Sequence, residues 1–201
     1  DIRGSNTDLH SGVFGGALAN PAFVLAQLLH QMKDRSGTIK IPGFYDDVVP
    51  LQEAEREAWA KLPFNEKEYR RTFGIPKVHG ESGYTTLERT WARPTFEVNG
   101  LLSGFTGEGA KTVLPAVAMA KVSMRLVPNQ DPDKIAALFE DYLQKVAPKT
   151  VSGRVVKTVM GPACEEKCTV APSLRPIQLR CILFSASVQS SSSRSSMRRS
   201  A

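Results

Sequence analysis

Residues 1–163 of this 201-residue sequence contain no cysteine. Cys164, Cys168 and Cys181 have a C-x3-C spacing that differs from zinc-knuckle patterns, which indicates free thiols rather than metal ligands or a disulfide. A body without cysteine is compatible with a reducing compartment, and we expect a cytoplasmic protein. No run of 18 or more apolar residues occurs, so the sequence offers no transmembrane helix.

Acidic residues are missing after Glu166. Six of the 26 basic residues lie in 167–201, which leaves 20 basic against the 20 acidic residues in 1–166. The net charge of +6 and the pI of about 9.3 therefore belong to the C-terminal segment, and the body is neutral. A neutral body argues against nucleic acid as a partner. An RNA-binding domain is the weaker alternative, since the strands lack its aromatic pattern.

The C-terminal segment differs in composition from the rest. From residue 185 onward, nine of 17 residues are serine and none is acidic. Such a composition buries too little apolar surface to offset the entropy of ordering the chain. We expect residues 163–201 to be a disordered or out-of-frame tail. Because the sequence also opens without an initiator methionine, we expect a fragment.

Periodicity and capping signals predict the helices and strands. Asn20-Pro21 and Asp131-Pro132 each supply an N-cap followed by proline at the first helical position. Residues 74–90 are predicted to be a loop, and Asn99-Gly100 a turn after a strand. Predicted helices cover 20–36, 52–62, 65–73 and 131–147, and predicted strands cover 1–9, 93–98, 116–127 and 154–160.

The predicted order is β-α-insert-β-β-α-β, with the insert at about 38–90. Without the insert, this is the split βαβ arrangement. The sequence therefore predicts an α+β, ferredoxin-like domain over 1–162, in which a four-stranded antiparallel sheet carries two helices on one face. The alternation of apolar residues in 116–127 slips in the middle of the run.

Two sequence patterns resemble a phosphate-binding or a metal-binding site, but neither has the full motif. Residues 104–112 resemble a phosphate-binding loop, but Ala110 separates the glycine from Lys111 and a strand follows instead of a helix. The three histidines, His10, His30 and His79, form no metal-binding motif, and we expect no metal centre in this chain. His10 stands between a strand and a glycine-rich turn, where a structural and a functional role are equally open.

Four segments in chain order resemble the dimerisation (lid) domain of dinuclear zinc peptidases of the carnosinase and cytosolic non-specific dipeptidase branch. Together they span most of residues 1–147, and the resemblance ends near residue 162. The segments are GSNTDLHSGVFGGA (4–17), IPGFYDDV (41–48), WARPTFEVNG (91–100), and GEGAKTVLPA continued by KVSMRLVPNQ (107–130).

The resemblance implies roles for three residues. His10 matches the histidine that reaches into the active site of the other subunit of a homodimer, where it would donate a hydrogen bond to the oxyanion. Thr112 matches a substrate-binding threonine. Arg125 matches the arginine that holds the terminal carboxylate of a dipeptide-like substrate, a task suited to the guanidinium fork.

The resemblance also implies what this chain lacks. Two zinc (or manganese) ions and a glutamate base would belong to a missing catalytic domain, so the chain alone is expected to be inactive. The alternative is a catalytically inert protein-interaction module from a truncated gene. A frameshift would explain the loss of resemblance after about residue 162.

Overall fold

The computed structural model describes residues 1–155, 157–160 and 180–184, the last two ranges by their backbone alone. Among these residues the helices are α1 (Ser11–Phe14), α2 (Pro21–Met32), α3 (Glu53–Ala60), α4 (Glu66–Thr72), α5 (Thr86–Trp91) and α6 (Pro132–Val146). The strands are β1 (Ile2–Arg3), β2 (Leu9–His10), β3 (Thr95–Ser103), β4 (Val113–Leu114), β5 (Val117–Leu126), β6 (Ser152–Gly153), β7 (Lys157–Met160) and β8 (Arg180–Phe184).

The main sheet is antiparallel and contains the strand order β6-β1-β5-β3. Numbered by the four predicted strands, this order is 4-1-3-2, and the prediction of a ferredoxin-like α+β fold is confirmed. Strand β8 pairs with the second half of β5, and β7 pairs with β8. Most of the predicted tail, 161–179 and 185–201, lies outside the described residues.

Strand β5 separates the core from the opposite face of the sheet. Ala118, Val122, Met124 and Leu126 are buried among side chains of α2 and α6, whereas the odd-numbered residues face the other way. Buried residues alternate with less buried ones from Val122 to Leu126, and the half-buried Ala120 packs against the same core as Ala118. The slip is therefore confined to the apolar pattern of the sequence and does not change the faces of the strand. It arose because Val117 and Met119 are apolar residues on the face away from the helices.

The two long helices begin where the sequence predicted. The Asn20 side chain accepts a hydrogen bond from Ala22 N at 2.9 Å, and the Asp131 side chain accepts one from Lys134 N at 2.8 Å. These caps satisfy amides that have no partner within their own helix. Helix α2 ends at Met32, four residues before the predicted end.

Four local predictions were wrong. The strand predicted at 1–9 consists of two short strands, β1 and β2, which belong to different sheets. Residues 86–91 form α5 instead of a loop, because Thr85 and Glu88 make a capping box. Strand β3 continues through Asn99-Gly100 with a register shift, so this dipeptide marks a β-bulge and not a turn. The strand predicted at 154–160 is a strand only at Lys157–Met160, as β7, and the strand that pairs with β1 is β6, which ends before the predicted range.

The insert packs against the core. Phe44 is 1% exposed and lies in the same cluster as Met124 and Phe139. The buried Gln130 side chain donates to Phe44 O at 2.7 Å and accepts from Val127 N at 3.1 Å. The insert is therefore attached to the end of β5. No helix in the described part of the chain has the length and apolarity needed to cross a membrane.

Candidate functional site

A small second sheet brings His10 next to Thr112. In this sheet β2 pairs with β4, with His10 opposite Val113. Ser11 N then donates to Thr112 O at 3.2 Å. Two residues separated by 102 positions in the sequence are thereby placed side by side at one end of the domain.

The chain before β2 is held to the start of β5 by two hydrogen bonds. Gly4 N donates to Ala116 O at 3.0 Å, and Ala116 N donates to the Asp8 carboxylate at 2.8 Å. Since a carboxylate acceptor makes a stronger hydrogen bond than a neutral one, Asp8 is an effective anchor for the strand that carries His10.

The His10 ring is hydrogen-bonded through both nitrogens. Gly12 N donates to Nδ1 at 3.1 Å, and Nε2 lies 3.0 Å from Thr112 Oγ1. A backbone amide can only donate, so Nδ1 must be the acceptor. In the neutral ring the proton then resides on Nε2, and Nε2 donates to Thr112 Oγ1. His10 thus presents a hydrogen-bond donor at an exposed position.

Exposed apolar side chains surround the His10–Thr112 pair. Val13 is 70% exposed, and Phe14 and Phe105 are each exposed by two fifths or more. The Lys111 ammonium lies 5.7 Å from the centre of the Phe105 ring. Exposed apolar residues rimmed by polar ones are typical of a surface that contacts another molecule.

Arg125 lies on the odd-numbered face of β5, opposite Thr95 of β3. Its Nη2 donates to Arg89 O at 2.8 Å and to Arg93 O at 3.2 Å. Both acceptors belong to α5 and the segment that follows it. The guanidinium is therefore oriented by the end of a short helix that the sequence did not predict.

A network of charged and aromatic side chains holds that segment. Arg93 makes a two-pronged ion pair with Glu81 at 2.7 and 2.8 Å, and its guanidinium lies 4.5 Å from the Tyr84 ring centre and 5.0 Å from that of Tyr45. Arg89 Nε donates to Glu81 O at 2.9 Å. We name Tyr45, Glu81, Tyr84 and Arg93 the insert clamp.

Burial and charge shift two pKa values in the insert clamp. Burial raises the pKa of the Tyr45 hydroxyl above its ordinary value of 10.0. Burial alone lowers the pKa of Arg93, but the hydrogen bonds and charge of Glu81 outweigh it and raise that pKa above its ordinary value. Arg93 is therefore a permanent cation within this network.

The structure brings together two of the three predicted site residues. Val117 begins β5, and Arg125 lies eight residues further, roughly 26 Å away at the usual rise per strand residue. Val113, opposite His10, precedes Val117 in the chain. His10 and Thr112 therefore lie at one end of the domain and Arg125 at the other.

The described residues contain no group of three or more histidine, cysteine, aspartate or glutamate side chains that could hold a metal ion. His30 and His79 are both exposed. The dinuclear metal centre implied by the resemblance does not fit this part of the chain. The glycine-rich loop at 104–112 leads into β4 and not into a helix, so it lacks the helix that follows a phosphate-binding loop.

Sequence reasoning missed Gly12 and the insert clamp. Gly12 was noted only as part of a turn, and nothing in the sequence distinguishes its amide from those of the neighbouring glycines. The start of α5 had a usable signal in the sequence, because Thr85-Thr86-Leu87-Glu88 has the spacing of a capping box. The contacts of Arg93 had no such signal, because Tyr45 and Glu81 are distant from it in the sequence.

Comparison with known proteins gives consistent matches. Residues 1–151 match the peptidase dimerisation domain of the M20 family. The chain is 36% identical over 142 residues to the Cys-Gly metallodipeptidase DUG1 of Candida albicans, covering 71% of this chain and 29% of that protein. It is 32% identical over 163 residues to the human Beta-Ala-His dipeptidase, covering 80% and 32%.

A solved structure agrees with these matches. The crystal structure of human carnosine dipeptidase 1 superposes with a TM-score of 0.66 and 33% identity, over 72% of this chain and 31% of that one. The chain thus spans about a third or less of the length of the relatives it matches. With its four-stranded core and the match over 1–151, this chain belongs to the M20 peptidase dimerisation domain family.

Proposed function

We propose that this domain contributes to peptide-bond hydrolysis by a metallopeptidase made of two copies of a longer chain. His10 and Thr112 of one copy and Arg125 of the other contact the same substrate. The observation that carries the proposal is the exposed His10–Thr112 pair at 3.0 Å, which offers a fixed donor to a second molecule.

The separation of the two ends of the domain supports a site shared between copies. A dipeptide in extended form spans roughly 7 Å, whereas Arg125 lies roughly 26 Å along β5 from the end that carries His10. Within one copy these residues cannot contact the same dipeptide. If both act on substrate, they do so in different active sites.

His10 is suited to stabilising an oxyanion. When water adds to a peptide carbonyl, negative charge develops on the carbonyl oxygen, and a donor held in advance lowers the energy of that state. Nε2–H of His10 is such a donor, and Thr112 Oγ1 accepts its hydrogen bond while no substrate is bound. A substrate oxygen would replace that acceptor.

Arg125 is suited to holding a substrate carboxylate. The guanidinium is a permanent cation, and the bonds from Nη2 to Arg89 O and Arg93 O fix its position on the sheet. A fixed guanidinium attracts a carboxylate and makes charge-assisted hydrogen bonds with it. We propose that it binds the C-terminal carboxylate of a dipeptide-like substrate. Metal ions and the activation of water belong to the part of the relatives outside this match.

Dimer formation through this domain is supported by the edge of the sheet. Among the described residues, β3 pairs only with β5, and three of its apolar side chains are exposed by 45–61%. These are Val98, Leu101 and Leu102. An exposed strand edge with apolar side chains is a ready surface for pairing with a second copy. A cytoplasmic location remains part of the proposal.

The proposal is tested in a chimera. Residues 1–151 would replace the matching domain of the Candida albicans Cys-Gly metallodipeptidase, and turnover of Cys-Gly would be measured. The variant His10→Ala should lose on the order of 10²–10³ in kcat. The matched control is His79→Ala, an exposed histidine in the insert, and it should retain full turnover. Equal rates for the two variants would contradict the role of His10.

Sharing between copies is tested by mixing two inactive chimeras. One carries His10→Ala, and the other lacks a metal ligand in its catalytic domain. If His10 serves the opposite subunit, the heterodimer has one complete active site and turnover returns. If His10 serves its own subunit, the mixture stays inactive. The alternative of an inert interaction module gains support if the chimera that carries neither change is also inactive.

A further inference from the structure

Gly12 meets the His10 ring in two independent ways. Its amide donates to Nδ1 of His10 at 3.1 Å. Its missing side chain leaves the room that the ring occupies, since a Cβ at this position would lie 2.8 Å from Cε1 and 3.1 Å from Nδ1 of His10. Of the glycines near His10, Gly16 has no such contact within 4 Å.

We propose that Gly12 is a positioning residue that fixes His10 as the Nε2–H tautomer. The amide cannot accept a hydrogen bond, so it accommodates only an unprotonated Nδ1. The significance of this tautomer rests on the proposed function, in which Nε2 must donate to an oxyanion. The opposite tautomer would turn a lone pair toward that oxyanion and repel it.

The tautomer also determines the direction of the bond to Thr112. With the proton on Nε2, the ring donates and the hydroxyl oxygen accepts across 3.0 Å. The hydroxyl hydrogen of Thr112 then remains available for another acceptor. Gly12, His10 and Thr112 therefore form a hydrogen-bonded chain in which the amide donates to the ring and the ring donates to the hydroxyl.

A side chain at Gly12 should displace the ring without unfolding the domain. The atoms it would approach are the far end of the His10 side chain, which is exposed and can rotate about χ1 and χ2. Gly12→Ala should therefore move the imidazole away and break the bond to Nδ1. Gly153→Ala is the matched control, because its Cβ would meet Ile2 at an ordinary 3.5 Å.

The experiment is side-chain ¹⁵N NMR on the full 201-residue chain at about pH 8.5, two units above the pKa of unperturbed histidine. The Nδ1 and Nε2 shifts of each ring report its tautomer. We expect His10 to be wholly Nε2–H in the wild type and in Gly153→Ala. In Gly12→Ala its shifts should move to the averaged values of the exposed His30 and His79. Backbone amide spectra verify the fold of each variant.

Two results would overturn the proposal. One is a wild-type His10 with the same averaged shifts as His30 and His79. The other is a folded Gly12→Ala in which His10 keeps the pure Nε2–H pattern, because the glycine would then not be its cause.

A second measurement decides the matter if Gly12→Ala does not fold. In His10→Ala the Gly12 amide loses its acceptor, and its hydrogen exchange should accelerate by about tenfold or more, a loss of roughly 1.4 kcal/mol of protection. An unchanged exchange rate would refute the bond. These measurements need no catalytic domain. The role of Gly12 can therefore be refuted while the chimera experiment supports the proposed function, and the reverse is also possible.

Discussion

The two ends of this domain hold their candidate site residues by opposite means. His10 and Thr112 are exposed and are positioned by backbone pairing between β2 and β4 and by the Gly12 amide. Arg125 is half-buried and is positioned by α5 and the insert clamp, which contains one ion pair and the contacts of its guanidinium with two tyrosine rings. The His10 end depends on a few hydrogen bonds at an exposed surface, and the Arg125 end depends on a network of half-buried side chains.

The difference shows how a domain can present one group to another molecule and hold a second one rigidly. Exposed side chains contribute little to stability, so the His10 end can be altered without loss of the fold. At the Arg125 end, the residues that orient the guanidinium also attach the insert to the sheet. Changes there should affect folding and function together.

The largest effect is expected from Arg93→Ala. It leaves Glu81 nearly buried without its cation and removes the guanidinium from between Tyr45 and Tyr84. Side-chain exposures of 11% and 15% for Arg93 and Glu81 make this close to a buried pair. The free energy of unfolding, measured with urea, should fall by about 3–5 kcal/mol.

The matched control for that variant is Lys134→Ala. It breaks the ion pair with Asp47 at 2.6 Å, whose side chains are 46% and 34% exposed. Such an exposed pair contributes little to the free energy of unfolding because solvent screens it, so Lys134→Ala should cost much less than Arg93→Ala. If the two variants cost the same, the insert clamp is no more than a surface feature and the contrast between the ends disappears.

A smaller effect is expected from acid, at the turn between α2 and the insert. Ser36 Oγ and the amides of Ser36 and Thr38 donate to Asp34 Oδ1, and the Ser36 side chain is the largest cause of a pKa below the ordinary 3.8. A carboxyl whose folded pKa is depressed stabilises the fold above its unfolded pKa, and this stabilisation is lost as the pH falls through the folded value.

The measurement is the difference in unfolding free energy between about pH 6 and about pH 3. Asp34→Asn cannot titrate, so its difference should be smaller than that of the wild type. An identical pH dependence in both proteins would show that the hydrogen bonds to Asp34 do not couple to folding.

The smallest effect is expected from Thr112→Val. The substitution is close to isosteric and removes one exposed hydroxyl, so the unfolding free energy should change by less than about 0.5 kcal/mol. The Nε2–H tautomer of His10 should persist, because the Gly12 amide still donates a hydrogen bond to Nδ1. A loss above about 1.5 kcal/mol would mean that the His10 end is also part of the stable core.

Local signals in the sequence were enough to predict the frame of the fold. Asn20-Pro21 and Asp131-Pro132 marked two helix starts, and the strand run at 116–127 contained β5. These features depend on residues close in sequence, where capping and periodicity act. The same holds for the place of His10 at a strand end.

Long-range contacts explain what the sequence did not reveal. The pairing of His10 with Val113 and the stacking of Arg93 on Tyr45 join residues that no spacing rule relates. Asn99-Gly100 reads as a hairpin turn, yet continuous pairing with β5 converts it to a bulge. The resemblance identified His10, Thr112 and Arg125 as candidate site residues. It did not show that Arg125 lies far from the other two.

Strand β5 places a constraint on how this sequence can change in length. Its even residues fill the core and its odd residues include Arg125, so deletion of a single residue would exchange the two faces. Arg125 would then turn into the apolar core, and Met124 out of it. Substitutions along β5 should lower stability by amounts that depend on the residue, but an insertion or deletion there should abolish folding. The exposed loop at 104–111 should tolerate changes in length much better.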